Sequence, residues 1–259
     1  MPECLEAEIW RRAAESVVGR VIDRLEIDER VAADGLVASL TGRRVIGVRR
    51  RGKVLLVDTD GPTLGLHFGM TGRLVVDGAA PIERLEYSSG ADREDWDRLR
   101  LFTDGGVVPA LRMNDPRRLG RLSLDPDLSH LGPDAMSLVA DELRHALQGR
   151  RRAIKPTLLD QGVVAGLGNL CADEVLFTAG VPPSCPCDRL SDDDIEAIAA
   201  ACRDRLPAML GAGGSTHGVL DPDVRRDLPP CPTCGAELRR ASIAGRTAVW
   251  CSVHDEERR

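Results

Sequence analysis

The last 30 residues hold the pattern that most narrows what this chain can fold into. Cys231 and Cys234 are separated by two residues, and after 16 more come Cys251 and His254, again two apart. Two tight pairs of soft or borderline ligands joined by a hairpin-length spacer supply the four vertices of a tetrahedral zinc site. Gly235 follows the first pair, and Gly245 is placed to turn the hairpin. Cys231, Cys234, Cys251 and His254 are therefore expected to hold one structural Zn2+. Cys185 and Cys187 sit closer together than a ligand pair usually does and read as ordinary thiols, while Cys4, Cys171 and Cys202 read as small apolar core side chains. Eight cysteines and an acidic N-terminus suit a reduced, cytoplasmic protein with no secretory leader. No run of 18 apolar residues predicts a membrane span.

The rest of the chain divides by periodicity. Residues 3–18 read as a helix, with Leu5, Ile9, Ala13 and Val17 at helical spacing and Pro2 in the first turn. From 43 to 122 the apolar runs are short and β-rich: 45–48, 54–57, 64–67, 74–76, 99–102 and 121–124. Close spacing of such strands, divided by Gly, Asp and Pro, predicts a sandwich or barrel. Beyond 130 the pattern is helical. Helices are expected over Asp134–Leu147, over Asn169–Ala179 with Gly180 and Pro182 closing it, and over Ser191–Met209, where Ser191 and Asp194 form a capping-box-like start. Gly211–Gly214 reads as a flexible break. The expected class is α+β: an N-terminal helix plus β-sandwich domain (1–125), a helical domain (130–225) and a zinc finger (226–259).

The net charge of -6 counts at face value against a polyanionic partner. Its distribution says otherwise. Segments 43–53, 112–121, 150–155 and 239–246 together hold 17 basic residues and one acidic residue, net +16, against -22 for the remainder. Each run alone could be a solvated face; four of one sign in an acidic chain predict an assembled phosphate-binding surface. Arginine supplies nearly all of this charge, and Lys53 and Lys155 are the only lysines. At the other end, removal of Met1 would free the Pro2 nitrogen as a secondary amine, and α-amino groups titrate near about 7.7–8.0, low enough to be nucleophilic. Glu3 and Glu6 share a helix face beside it. On these residues alone ordinary helix capping accounts for all three.

Taken in order, Met1-Pro2-Glu3 with Glu6, RRRGK at 49–53, HFGMTG at 67–72, NDPRRLG at 114–120, Ile154-Lys155-Pro156, the block LLDQGVVAGLGNLCADEVLFTAGVPP at 158–183 and the cysteine-rich tail with Gly245-Arg246-Thr247 resemble the formamidopyrimidine-DNA glycosylase/endonuclease VIII family over nearly the whole chain. The 158–183 block resembles that family's helix–two-turns–helix element. The resemblance implies a bifunctional DNA glycosylase/AP lyase of base excision repair, a monomer acting on double-stranded DNA with damaged bases or abasic sites. Pro2 would be the nucleophile that forms a Schiff base, Glu3 the proton carrier at the sugar, Glu6 a supporting carboxylate and Lys53 a phosphate-facing lysine. Lys155 would lie near the lesion pocket, Asn169 would hold the flipped nucleotide's backbone, and Arg246 would contact phosphates. Met70, Arg117 and Leu119 would fill the gap left by the flipped base. The chain departs from the family pattern in four ways. Cys4 and Leu5 stand where Gly and Pro are usual, Leu119 where Phe is usual and His254 where Cys is usual, and the stretch from Gly214 to Cys231 is too short for the loop that caps oxidised purines. Cys4, Leu5 and the short stretch motivate a second reading, a paralogue that binds damaged or distorted DNA without cutting it efficiently. A zinc-ribbon interaction protein with no DNA role would explain the tail alone.

Overall fold

In the computed structural model, residues 1–31, 34–83, 85–87 and 90–253 are described. They form two units: Met1–Pro2 with Glu6–Leu128, and Glu3–Leu5 with Ser129 onward.

The first unit contains helix α1 (Cys4–Ala14) from Glu6 on, the short helix α2 (Leu36–Leu40) and eight strands: β1 (Ile22–Ile27), β2 (Val45–Arg51), β3 (Val54–Thr59), β4 (Leu64–His67), β5 (Arg73–Val76), β6 (Asp97–Thr103), β7 (Leu111–Asn114) and β8 (Arg121–Leu124). They pair antiparallel in two four-stranded sheets, ordered β1-β6-β7-β5 and β2-β3-β4-β8. One apolar core takes side chains from both sheets (Leu99, Leu101 and Leu111 from one; Leu55, Val57 and Leu66 from the other) together with Trp10 of α1. The Trp10 and Phe68 rings are in direct contact, 4.1 Å apart between centroids and tilted by 44°. This is the expected helix-plus-sandwich. Two of its strands escape the periodicity. In β1 a register shift between Ile22 and Arg24 breaks the alternation, so Ile22 and Leu25 are both buried three residues apart; a bulge does this by adding one unpaired residue. Strand β7 is four residues long, central in its sheet, and ends on the buried Asn114.

The second unit contains α3 (Ala140–Leu147), α4 (Ile154–Leu158), α5 (Asn169–Ala179), α6 (Asp192–Ala212), α7 (Pro222–Asp227) and the hairpin β9 (Leu238–Ile243)–β10 (Arg246–Cys251). The predicted helix over 134–147 is instead a 3-10 turn, Ala135–Ser137, capped by Asp134, then extended backbone at Leu138 and Val139 before α3 begins. Helix α5 has the predicted bounds. Nine of its eleven residues are buried, the acids Asp173 and Glu174 among them. It ends at Gly180 in the left-handed region, with Val181 N donating to Leu176 O and Gly180 N to Phe177 O, a Schellman close. Ser191 and Asp194 cap α6 reciprocally. The helix runs on to Ala212, past the predicted end at Met209. Ala244 (φ +48) and Gly245 (φ +76) turn the β9–β10 hairpin, a pair of positive φ values that suits the twist of the strands.

Candidate active site and nucleic-acid interface

Glu3 has the most elaborate setting of any predicted residue. It is 1 % exposed, and its carboxylate accepts from three backbone N–H groups at the start of α5: Gly168 (2.7 Å), Leu170 (2.9 Å) and Cys171 (3.1 Å). Those N–H groups have no intrahelical partners and carry the positive end of the helix dipole, so an anion is the natural ligand. Gly168 makes the approach possible: a Cβ there would fall 2.4 Å from Glu3 Cδ. Cys4 N donates to Gly166 O at 3.0 Å, fixing the chain just after Glu3. Asn169 opens α5, and its buried Oδ1 has no hydrogen-bond partner among the described residues. An orphaned buried acceptor costs roughly 1–3 kcal/mol, and a donor brought by a ligand would relieve it.

In the first unit Pro2 and Glu6 are both buried, and the Met1 ammonium pairs with Glu86 at 3.3 Å. Lys53 follows Gly52 (φ +57) in the β2–β3 turn. Beside it, His67 pairs across β4 with Val54 on one side and Arg121 on the other. Burial first, then the charges of Lys53 and Arg121, push the His67 imidazole below its usual value. Gly69 N donates to His67 Nδ1 at 3.2 Å, which assigns the ring proton to Nε2. Sequence reasoning missed His67 because the motif HFGMTG drew attention to its glycines and Met70. A histidine held neutral by burial and by nearby cations destabilises the fold as pH falls through its ordinary range, because the unfolded chain takes up the proton first. Wild-type protein is thus expected to lose thermal stability below about pH 6.5 by more than His67→Gln does; parallel pH profiles for the two would refute this.

Met70, Arg117 and Leu119 come together on two segments tied by one buried carboxylate. Asp115, fully buried, accepts from Thr71 Oγ1 (2.5 Å), Arg117 N (3.2 Å), Leu119 N (2.7 Å) and Gly120 N (2.8 Å). Gly69, at φ +61, packs so closely that a Cβ would lie 2.5 Å from the Leu119 backbone. Arg118 is held at φ +53, with its Nε 3.0 Å from Asp28. Asp28 also pairs with Arg98, whose Nε donates to Asp115 O at 2.8 Å. Burial raises the Asp28 carboxyl, but Arg30 N and the Arg118 and Arg98 guanidiniums outweigh it and bring it to about 2. The result is a braced loop with Arg117 and Leu119 exposed and Met70 half-buried. Asp115→Ala would strand four donors and is expected to cost about 2–4 kcal/mol in urea unfolding. A loss under about 1 kcal/mol would show that the loop does not depend on it.

The four basic runs do not all face solvent as free charge. Arg49 pairs with Asp58, Arg50 with Glu8, Arg112 with Asp92 and Asp97, and Arg152 with Asp160. Lys155, expected near the lesion pocket, has no exposed surface. Its Nζ lies 2.7 Å from Asp173 Oδ1 and donates to Thr247 O at 2.5 Å, so it is an internal tie rather than part of an exposed surface. Lys53, Arg117 and Arg246 make no ion pair among the described residues, and Arg117 and Arg246 are exposed. These cations are free to meet phosphates.

The Sγ atoms of Cys231, Cys234 and Cys251 all lie within 4.8 Å of one another. Gly235 (φ +75), with its N–H on Cys231 O, makes the tight turn after the first pair. Burial raises the Cys231 thiol, but the Cys234 and Thr233 N–H groups and the neighbouring thiols outweigh it and lower it. Three converging thiols fit a zinc ion, which needs thiolates. His254, the expected fourth ligand, lies outside the described residues.

Residues 1–122 match the family model of the formamidopyrimidine-DNA glycosylase N-terminal domain, and residues 131–220 that of the formamidopyrimidine-DNA glycosylase H2TH domain. The formamidopyrimidine-DNA glycosylase of Stenotrophomonas maltophilia is 33% identical over 280 aligned positions, covering 97% of this chain and 98% of its own length. That of Paracoccus denitrificans is 34% identical over 282, covering 98% and 99%. Among solved structures, the MutM (Fpg) protein of Thermus thermophilus superposes with a TM-score of 0.81 at 29% identity, covering 98% of each chain. Lactococcus lactis Fpg in complex with abasic-site DNA gives 0.80 at 27%, covering 98% and 99%.

Proposed function

The chain belongs to the formamidopyrimidine-DNA glycosylase family, and we propose that it is a bifunctional member acting on damaged bases or abasic sites through a Schiff base at Pro2. The observation that carries this reading is the cradle that three backbone N–H groups form around Glu3, the residue next to Pro2 in the chain. With Met1 removed, the Pro2 nitrogen attacks C1′ of the flipped nucleotide, and the base leaves with the electrons of the glycosidic bond. Glu3 passes a proton to the sugar ring oxygen; the ring opens and the nitrogen–C1′ bond becomes an iminium. Loss of a C2′ proton then expels the 3′-phosphate and breaks the strand. Glu6 supports this chemistry. Lys53, His67 and Arg246 bind phosphates, Asn169 offers its unpaired Oδ1 to the flipped nucleotide, and Met70, Arg117 and Leu119 fill the vacated stack. Cys231, Cys234, Cys251 and His254 would hold a zinc ion that fixes the hairpin.

No long loop occupies Ser215–Pro230. The segment is a 3-10 turn (Ser215–His217) followed by α7, and Glu174 holds it by accepting from Val219 N (2.8 Å) and Leu220 N (2.9 Å). The alignments with relatives span more positions than this chain has residues, so the relatives carry stretches this chain lacks. A substrate that needs no cap over its base, an abasic site above all, suits this arrangement best. Among the described residues no helix is long and apolar enough to cross a membrane. We place the enzyme as a monomer in the cytoplasm, on the nucleoid when bound to DNA.

The test is a duplex with one abasic site, incubated with protein and borohydride. A covalent adduct together with strand cleavage supports the proposal. Tight binding with neither would favour the non-cleaving paralogue instead.

A further inference from the structure

The segment between Ser215 and Pro230 carries two adjacent arginines in very different settings. Arg226 is exposed and pairs with its neighbours Asp223 and Asp227, a surface arrangement of small energetic weight. Arg225 is 7 % exposed and turns inward. It pairs with Asp173 of α5, and its Nη2 donates to Thr247 O at 3.2 Å. Asp173 is itself buried, takes the Lys155 ammonium at 2.7 Å and accepts from Val249 N at 3.1 Å. Strand β10 is thereby fastened to α5 at Thr247 and at Val249, immediately after Arg246. Helix α7 is fastened back to the hairpin by Arg240, whose Nη1 donates to Arg225 O and Arg226 O at 3.2 Å each.

Two cations on one carboxylate would leave surplus positive charge in the interior. The buried Glu3 carboxylate favours the charged form of Lys155. The buried set is two acids and two bases: Glu3, Asp173, Lys155 and Arg225. Such sets contribute little net stability, but losing one member leaves a buried charge uncompensated.

We infer that Arg225 is a positioning residue that sets the hairpin carrying Arg246 on the helix whose start cradles Glu3, so that DNA binding through Arg246 depends on α7. This rests on the DNA-repair reading above. The experiment measures equilibrium binding of a duplex with a reduced abasic site, together with single-turnover borohydride trapping on a natural one. It uses full-length wild type, Arg225→Met, Arg246→Ala and the double variant, with zinc content measured for each. Arg225→Met and Arg246→Ala are each expected to raise Kd about ten-fold, and the double variant little more than either alone. For Arg225→Met, adduct formation at saturating DNA should stay within about three-fold of wild type. Should Arg225→Met lose zinc, Arg225→Lys, which keeps the charge without the fork, carries the same test and should show a smaller, equally non-additive rise. A double variant weakened about a hundred-fold, or an Arg225→Met protein binding like wild type, would overturn the inference while leaving the enzyme reading intact. Unchanged affinity in Arg246→Ala would instead remove the phosphate contact on which it rests. Failure of the wild type to form any adduct would strike the enzyme reading itself.

Discussion

Protein in which Met1 cannot be removed is expected to form no borohydride-trapped adduct with abasic-site DNA, a loss of at least about 10³-fold in rate. The reason lies in bonding. With Met1 attached, the Pro2 nitrogen is a tertiary amide whose lone pair is delocalised into the carbonyl; with Met1 gone it is a secondary amine with an α-amino pKa. Blocking removal by an N-terminal extension changes this nitrogen and little else, so affinity for the same duplex should stay within a few-fold. Pro2→Gly is a graded control. It leaves a primary amine after processing, so trapping should fall but not vanish, because only a secondary amine is forced to form a cationic iminium. An undiminished adduct from the blocked protein would move the nucleophile elsewhere. Lys53 and Lys155 are the only lysines, and Lys155 is wholly buried and committed to Asp173 and Thr247. Lys53 would then be the residue to replace.

What the sequence disclosed and what it concealed follow from the range of the interactions involved. Helix α5 was legible because its signals are local: the apolar stretches Leu170–Ala172 and Val175–Phe177, Gly180 to close it, Pro182 beyond. The Ser191–Asp194 cap is equally local. Strand β1 was illegible because its register shift is a property of its pairing with β6. The charge runs were legible as composition and misleading as surface. Arg49, Arg112 and Arg152 look like free cations until Asp58, Asp92 and Asp160 arrive from other parts of the chain. Lys155 shows the limit most sharply. Its scarcity marked it as unusual, and the resemblance placed it near the lesion pocket, yet its partners Asp173 and Thr247 are brought together only by the fold. Asp115 was passed over inside NDPRRLG for a similar reason: an acid in a basic motif reads as an exception, whereas it is the residue that holds Met70, Arg117 and Leu119 on one braced surface.

Gly168→Ala is expected to be nearly as damaging as removing Glu3 itself, although it adds one methyl group to a residue with no chemistry of its own. Gly168 adopts ordinary extended backbone, so alanine is not excluded by φ and ψ. The obstacle is space. The new Cβ would lie 2.4 Å from Glu3 Cδ and 2.6 Å from Cγ and Oε1, inside any tolerable contact distance. Either the carboxylate leaves the three N–H donors or the start of α5 moves away from it. Both outcomes orphan buried N–H groups, at roughly 1–3 kcal/mol each, and both shift the proposed proton carrier, where a misplacement of ~1 Å can cost 10²-fold in rate. The expected result is a protein about 2–4 kcal/mol less stable in urea unfolding, with strand cleavage at an abasic site reduced about 10²–10³-fold. Glu3→Gln separates the two effects. It fits the same space and retains one carbonyl acceptor, so its stability should fall less than that of Gly168→Ala while its cleavage falls at least as far. Glu3→Ala in the Gly168→Ala background should recover part of the lost stability, because the clash is gone, but none of the activity. A Gly168→Ala enzyme cutting at more than about a tenth of the wild-type rate would mean that Glu3 can do its work outside the cradle, and the assignment of proton transfer to this carboxylate would fall with it.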